Sequence, residues 1–357
     1  MIRQYTPWVA TNQKKYVNDC LDENYLSHRG KYGKLFEAGL AAAAKRKHAA
    51  LTGSGTAALF AMYYAEGLVG KRVLAPTLTY AATINQLILI GATPVLVDCD
   101  ERHQMEINQV REGLARGLAD AVVVAPLYGD APNMLAFELA CHDFGVPLLV
   151  DGAQAFGADW NGRPVLSYGR SATLSFFAGK TLGTGEGGCV FTDDEEVDRR
   201  ARDAVNHNTY TNYRHGSPYC TNSRMTNLQA AVGLAQLEDA PAILQNKRRV
   251  HTEYARLLPA AVLRPRTGLA WVNVVRVKPG LTYAEVEAVA RAAGVELRPM
   301  FAPLHTLPGY ASRVDTPFPL RASEVAAATH VSLPSGPTLT AEEIGRVADA
   351  VRPFLVD

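Results

Sequence analysis

Val150-Asp151-Gly152-Ala153-Gln154-Ala155-Phe156-Gly157-Ala158 is followed by Ser171-Ala172-Thr173-Leu174-Ser175-Phe176-Phe177-Ala178-Gly179-Lys180-Thr181-Leu182-Gly183-Thr184-Gly185-Glu186-Gly187-Gly188. The apolar run from Pro147 to Val150 reads as a buried strand, with Asp151 at its C-terminal mouth. In open α/β sheets, ligands bind outside that mouth. A second apolar run delivers Lys180 just past its own end, among small residues. A lysine desolvated in this way loses its charge readily and becomes an amine nucleophile.

An acid at one strand end and an amine at the next fit pyridoxal phosphate chemistry. The amine holds the aldehyde as a Schiff base, and the acid keeps the pyridine nitrogen protonated so that the ring accepts electrons. On spacing alone, an ordinary buried Asp151 with a surface Lys180 is equally open, because buried charges need partners but not cofactors. Gly183 to Gly188 also spells G-x-G-x-x-G. A dinucleotide site needs a strand before that pattern and a helix after it. Here the strand-like run Cys189-Val190-Phe191-Thr192 follows, so the glycines read as a close backbone turn around the lysine.

Upstream, Leu51-Thr52-Gly53-Ser54-Gly55-Thr56-Ala57-Ala58-Leu59 is a small-residue turn opening into a helix. A helix N-terminus offers free N–H groups to a phosphate. The run Arg72 to Ala75 reads as a strand, and Tyr80 follows it, either as a core tyrosine or as a ring that stacks on a flat cofactor. Helix (Ala81 to Ile90), strand (Pro94 to Asp98), helix (Asn108 to Leu118) and strand (Ala121 to Leu127) come next. Asp130-Ala131-Pro132 is read as the cap of a further helix ending at Gly145. This alternation predicts a mostly parallel sheet with helices on both faces. Before it, Asn12 to Asn24 and Leu35 to Lys45 read as helices around a basic turn, Ser27 to Tyr32, whose plain reading is a solvated loop.

Downstream, Thr192-Asp193-Asp194-Glu195 is read as a capping box for a helix reaching Val205. A long polar loop spans residues 206–221, and Thr226 to Gln229 is a second box. Pro241 to Leu258 reads as a long linking helix. Trp271 to Val277 and Val295 to Pro299 read as strands, with helices capped at Thr282 and Thr340. This predicts a small C-terminal α/β domain.

A net charge of +1 leaves no broad footprint for nucleic acid or an anionic membrane. No apolar run approaches the roughly twenty residues of a membrane span. Met1-Ile2-Arg3-Gln4-Tyr5 lacks a signal-peptide layout. Five cysteines without a CxxC, and histidines without HExxH, indicate neither disulfide framework nor metal site. A reducing cytoplasm is the default expectation.

The opening stretch resembles the DegT/DnrJ/EryC1/StrS sugar aminotransferases, within fold type I of the pyridoxal phosphate enzymes. That family's signature runs acid, x, Ala, then Gln, Glu or His, Ala, x, Gly, and later Ser-Phe, Lys and Gly-Glu-Gly-Gly. Here it stands as Asp151 to Gly157, Ser175-Phe176, Lys180 and Gly185 to Gly188. The resemblance covers essentially the whole chain. Softer patterns, including Pro76 to Tyr80 and Arg298 to His305, look like its nucleotide-sugar 4-aminotransferase branch, the perosamine synthases.

The resemblance implies an aspartate-aminotransferase-like α/β fold. A large domain (residues 1–240) would hold a mostly parallel seven-stranded sheet, and a small domain (241–357) would include the linking helix. It implies pyridoxal 5'-phosphate as cofactor, with Gly55, Thr56 and Ser54 on its phosphate, Ser175 on the phosphate side, Tyr80 over the ring and Gln154 at the ring's 3-oxygen. Lys180 would carry the aldehyde and move protons, and Asp151 would meet the ring nitrogen. Asn222 of Asn222-Ser223-Arg224-Met225 would cross to the neighbouring subunit of a homodimer, although Cys220-Thr221 replaces the family's usual Gly-aromatic pair before it. The implied substrates are an amino acid, usually L-glutamate, and a nucleotide-linked keto sugar, often aminated at C4. A non-nucleotide ketone such as a cyclitol, and a cofactor-binding protein without catalysis, are the alternatives. Related dehydratases carry histidine at the lysine position, so Lys180 argues against that chemistry.

Overall fold

The computed structural model describes residues 1–207 and 220–356. Most of the polar loop expected at 206–221 lies outside the described residues. The chain begins with α1 (Gln13–Asp22) and α2 (Lys31–Ala44). Then β1 (His48–Thr52), α3 (Gly55–Ala65), β2 (Arg72–Pro76), α4 (Ala82–Leu89), β3 (Thr93–Val97), α5 (Ile107–Ala115), β4 (Ala121–Val124), α6 (Met134–Asp143) and β5 (Leu148–Asp151) alternate. A small hairpin, β6 (Asp159–Trp160) and β7 (Arg163–Pro164), precedes β8 (Ser171–Ser175) and β9 (Gly188–Thr192). The helices α7 (Glu195–Ala204), α8 (Asn227–Glu238) and α9 (Ala240–Leu257) follow. Last come β10 (Asn273–Arg276), α10 (Tyr283–Ala292), β11 (Arg298–Pro299), α11 (Arg321–Thr329), β12 (His330–Leu333) and α12 (Ala341–Val351).

Seven strands form one sheet in the order β1-β9-β8-β5-β4-β2-β3. The pairs from β8 through β5, β4 and β2 to β3 are parallel, and β9 runs antiparallel to both β8 and β1. Strands covered on both faces need apolar residues on both sides. Val122 and Val124 of β4 accordingly join Phe36, Leu40 and Phe137 on one face, while Ala121 and Val123 join Leu59, Met62 and Ile84 on the other. The C-terminal strands form a three-stranded antiparallel sheet, β10-β12-β11, packed with α9, α10 and α12 around Val275, Val331 and Ile344.

Three capping boxes read from the sequence are present, at Thr226, Thr282 and Thr340. Two expected caps are displaced. Thr192 is the last residue of β9, so its hydroxyl donates to the Arg170 carbonyl, and Asp194 caps α7 instead. Asn133, rather than Asp130, caps α6. The Asp130 carboxylate is drawn off by the backbone N–H groups of Arg266 and Thr267 at 2.7 and 3.2 Å. The structure also adds β1, α11 and β12, which the sequence reading left unassigned.

Candidate active site

The parallel strands deliver their C-terminal ends to one side of the sheet, and the site is built there. The Asp151 side chain, at the end of β5, is buried. Its Oδ2 accepts a 2.7 Å bond from the Thr83 hydroxyl on α4, and its Oδ1 accepts from the Ala153 N–H at 3.2 Å. Burial raises its pKa above the usual carboxylate range, against the pull of those two donors and of the Lys180 amine. No other cation is recorded acting on this carboxylate among the described residues.

From neighbouring β8 the chain turns through Phe176 to Gly179 into Lys180. Burial pulls the Lys180 amine down to about 8, and Asp151 opposes that fall. The amine lies over the Trp271 ring, 4.2 Å from its centroid. The Gly183 to Gly188 run closes the turn between β8 and β9, with Phe176 N–H bonded to the Gly187 carbonyl and Ala178 N–H to that of Gly185. Gly187 has a φ of +157°, and a Cβ there would stand 2.4 Å from the Met225 methyl. The turn therefore requires glycine, as read above.

The Ser54 hydroxyl caps α3 by accepting the Ala57 N–H at 3.1 Å. The N–H groups of Gly55 and Thr56, ahead of it, have no intrachain acceptor recorded among the described residues. A Cβ on Gly55 would lie 2.5 Å from Ser175 Cβ, so glycine is what lets the start of α3 meet the end of β8. Tyr80 follows β2 and remains 58% exposed, with its ring 5.8 Å from that of Phe301. The Gln154 Oε1 accepts the Tyr128 N–H at 2.7 Å.

These groups share one cavity of about 790 Å³, lined by Ser54, Gly55, Thr56, Tyr80, Asp151, Gln154, Ser175 and Lys180 together with Tyr5 and Trp271. Asn222 is exposed, bridges to Asn206 and is not among the lining residues. The basic turn at residues 27–32 also lies off the cavity. It packs beside the start of α8, where the Asn227 Oδ1 accepts the Tyr32 N–H. Sequence reasoning missed Thr83, Tyr5, Tyr128 and the site role of Trp271. The available signal for Thr83 was a hydroxyl in the first turn of a helix that follows a strand's C-terminal end. Tyr5 offered none.

The donor set suits a phosphorylated pyridine aldehyde. Free N–H groups at a helix start meet a phosphate, a depressed amine meets an aldehyde, and a buried carboxylate short of a cation meets a protonated ring nitrogen. Fold and cavity together define a pyridoxal-phosphate-dependent enzyme of fold type I. The profile of the DegT/DnrJ/EryC1/StrS aminotransferase family matches residues 8–352, and the chain belongs to that family. It is 32% identical to the GDP-perosamine synthase of Vibrio cholerae over 99% of both chains. It is also 32% identical to a UDP-N-acetyl-3-dehydro-alpha-D-glucosamine 3-aminotransferase of Acidithiobacillus ferrooxidans, over 90% of this chain and 88% of that one. Among solved structures, DesI, determined in the presence of its TDP-sugar product, aligns with a TM-score of 0.88 at 32% identity, covering 97% of this chain and 91% of that one.

Proposed function

We propose that the protein transfers the amino group of L-glutamate to C4 of a nucleotide-linked 4-keto-6-deoxy sugar, a reading supported by its similarity to GDP-perosamine synthases. The observation that carries this reading is the Lys180 amine and the Asp151 carboxylate facing one cavity from the ends of adjacent strands. Pyridoxal phosphate, when bound, supplies the aldehyde that takes up the amino group and the ring that accepts electrons. With the cofactor bound, Lys180 would hold that aldehyde at rest, and its Nζ would accept and return the substrate proton. Its amine, drawn down to about 8, is poised for both roles near neutral pH. Asp151 keeps the ring nitrogen protonated, and Thr83 fixes the carboxylate's orientation. Gly55 and Thr56 would donate N–H bonds to the phosphate, with Ser54 and Ser175 beside them. Tyr80 would cover the ring, and Gln154 would meet its 3-oxygen.

The same reading makes the active form a homodimer, in which Asn222 serves the partner subunit's phosphate site. This fits its exposed position away from its own cavity. Residues 1–240 act as the cofactor-holding domain and 241–357 as the smaller one. Relatives of equal identity carry names for different sugars and ring carbons, so a substrate panel is the deciding experiment. The holoenzyme is first discharged with L-glutamate, followed by the change in its visible absorbance and by 2-oxoglutarate release. It is then offered GDP-, UDP- and TDP-linked 4-keto-6-deoxy and 3-keto sugars. Recovery of the original absorbance with a GDP-linked 4-keto-6-deoxy sugar supports the proposal. Recovery only with a 3-keto sugar or a cyclitol ketone refutes the C4 assignment.

A further inference from the structure

Two aromatic side chains from distant parts of the chain hold the turn that carries Lys180. The Trp271 indole N–H donates to the Gly179 carbonyl at 2.9 Å, and the Tyr5 hydroxyl donates to the Lys180 carbonyl at 2.7 Å. Both carbonyls flanking the Lys180 Cα are thus tied from outside the sheet. Trp271 is itself anchored, since its backbone N–H donates to the Tyr128 carbonyl at 2.8 Å. Tyr128 in turn is held by Gln154, and its φ of +59° is an uncommon conformation for a bulky residue. Tyr5 packs against Lys247, a fully buried lysine whose Nζ lies 5.0 Å from the ring centroid and donates to the Ser335 carbonyl.

The Lys180 amine has a different environment from its backbone. Among the described residues no hydrogen bond or salt bridge from Nζ is recorded, and its close neighbour is the face of the Trp271 ring at 4.2 Å. The other charged groups lining the cavity are Asp151 and Glu186 from the sheet side and Arg3, Glu296 and Arg298 from the N- and C-terminal segments. Of these, Asp151 is the one that acts on the amine. A π face attracts an ammonium ion while offering it no proton acceptor.

We propose that Trp271 is a positioning residue for Lys180: its ring receives the lysine amine whenever that amine is not bonded to the cofactor. The indole N–H meanwhile locks the Gly179–Lys180 turn. This rests on the reading of Lys180 as the cofactor-bearing lysine. Each turnover frees the lysine, and an amine allowed to swing to solvent or onto Asp151 would have to be recovered before the next proton transfer. The ring face keeps it inside the cavity, and its attraction strengthens when the lysine becomes an ammonium.

The test uses the full-length apoprotein and holoprotein of wild type, Trp271→Phe and Trp271→Leu. In the apoprotein, the pKa of Lys180 is read by competitive acetylation across pH, with mass spectrometry of its peptide. Loss of the π face should lower that pKa by about 0.5–1 unit in Trp271→Leu, with Trp271→Phe in between. In the holoprotein, kcat should fall about tenfold or more in Trp271→Leu while KM for glutamate stays within about twofold, because the interaction concerns the enzyme's own amine. The smaller loss in Trp271→Phe separates the π face from simple packing and also serves if Trp271→Leu folds poorly. An unchanged or raised Lys180 pKa, or an unchanged kcat in Trp271→Leu, overturns the proposal. Borohydride fixation of the cofactor in wild type keeps the two readings apart. Label on the Lys180 peptide with indifferent Trp271 variants sinks the Trp271 role alone, and absence of label there sinks the reading of Lys180 itself.

Discussion

Thr83→Val is nearly isosteric and removes one hydroxyl from the fully buried α4 position behind Asp151. Two bonds are lost: the 2.7 Å donation to Oδ2, which leaves the carboxylate with the Ala153 N–H, and a 3.0 Å bond with the buried Thr79 hydroxyl, which weakens the fold at every pH. A hydrogen bond contributes about 1.5–3 kcal/mol to an ionised carboxylate and about 1 kcal/mol to the neutral acid, so losing it raises the Asp151 pKa by the difference between the two. The direction follows from linkage. Burial already holds the folded pKa of Asp151 above the unfolded value, so its ionisation costs stability as pH rises through the folded pKa. Below the unfolded pKa, both states bind the proton and the cost vanishes. Thr83→Val raises the folded pKa further and so deepens the loss on the alkaline side. The apoprotein variant should therefore be about 1.5–3 kcal/mol less stable than wild type at pH 8, with the gap narrowing toward about 1 kcal/mol as pH falls below the folded pKa. Urea midpoints across the pH range in which the apoprotein stays folded measure this, since a constant m-value assigns the shift to stability. A destabilisation that stays flat across that range would show that the hydroxyl serves packing only. Bound cofactor should shrink the gap at pH 8, because a protonated ring nitrogen gives the carboxylate a new partner.

Asp151→Asn should leave the fold intact and slow amination by orders of magnitude, as read by single-turnover absorbance with glutamate; wild-type rates would remove Asp151 from the electron-sink role. Gly55→Ala places a methyl 2.5 Å from Ser175 Cβ and forces the start of α3 away from β8. Overpacking of this kind costs about 1–3 kcal/mol, and cofactor affinity, measured by equilibrium dialysis, should fall with it. Mixing Lys180→Ala with Asn222→Asp, two variants expected to be inactive alone, should restore part of the activity after subunit exchange. A mixed dimer then contains one site with an intact Lys180 and a neutral Asn222 from its partner. No recovery with exchange verified would argue that Asn222 serves its own chain or none.

The sheet was legible where strands were rich in branched residues and ended at a chemical marker. β4, β5 and β9 follow the expected positions because each is a short apolar run, valine-rich in β4, with no helical period. β1 was not, since His48-Ala49-Ala50-Leu51-Thr52 is alanine-centred, and what makes it a strand is pairing with β9 across more than a hundred residues. The displaced caps have the same origin. A hydroxyl or carboxylate can be claimed by a distant backbone, as Thr192 is by Arg170 and Asp130 by Arg266 and Thr267. The local pattern brought Asp151, Lys180 and the Gly55 turn to notice because each marks an element's end. Thr83, Trp271 and Tyr5 reach the same cavity from separate segments, and no spacing rule connects them to it.

The N-terminal residues bear on how the molecule is made. The Ile2 N–H bonds to the Gly294 carbonyl, the Gln4 side chain reaches the Leu333 carbonyl across 329 positions, and Tyr5 then touches Lys180. On a ribosome adding about 5–20 residues per second, Gln4 waits roughly 15–70 s for that partner. The segments bearing Asp151 and Lys180 have been synthesised by Thr192, yet Trp271 is still to come, and the wall supplied by Tyr5 waits for the C-terminal sheet that receives the N-terminus. A nascent chain could gather its phosphate-binding turn and its reactive lysine early, but it would display them in an open trough. The enclosed cavity is therefore among the last features to form during synthesis, because the buried Ile2 and the Gln4 side chain must first find their partners near the C-terminal end.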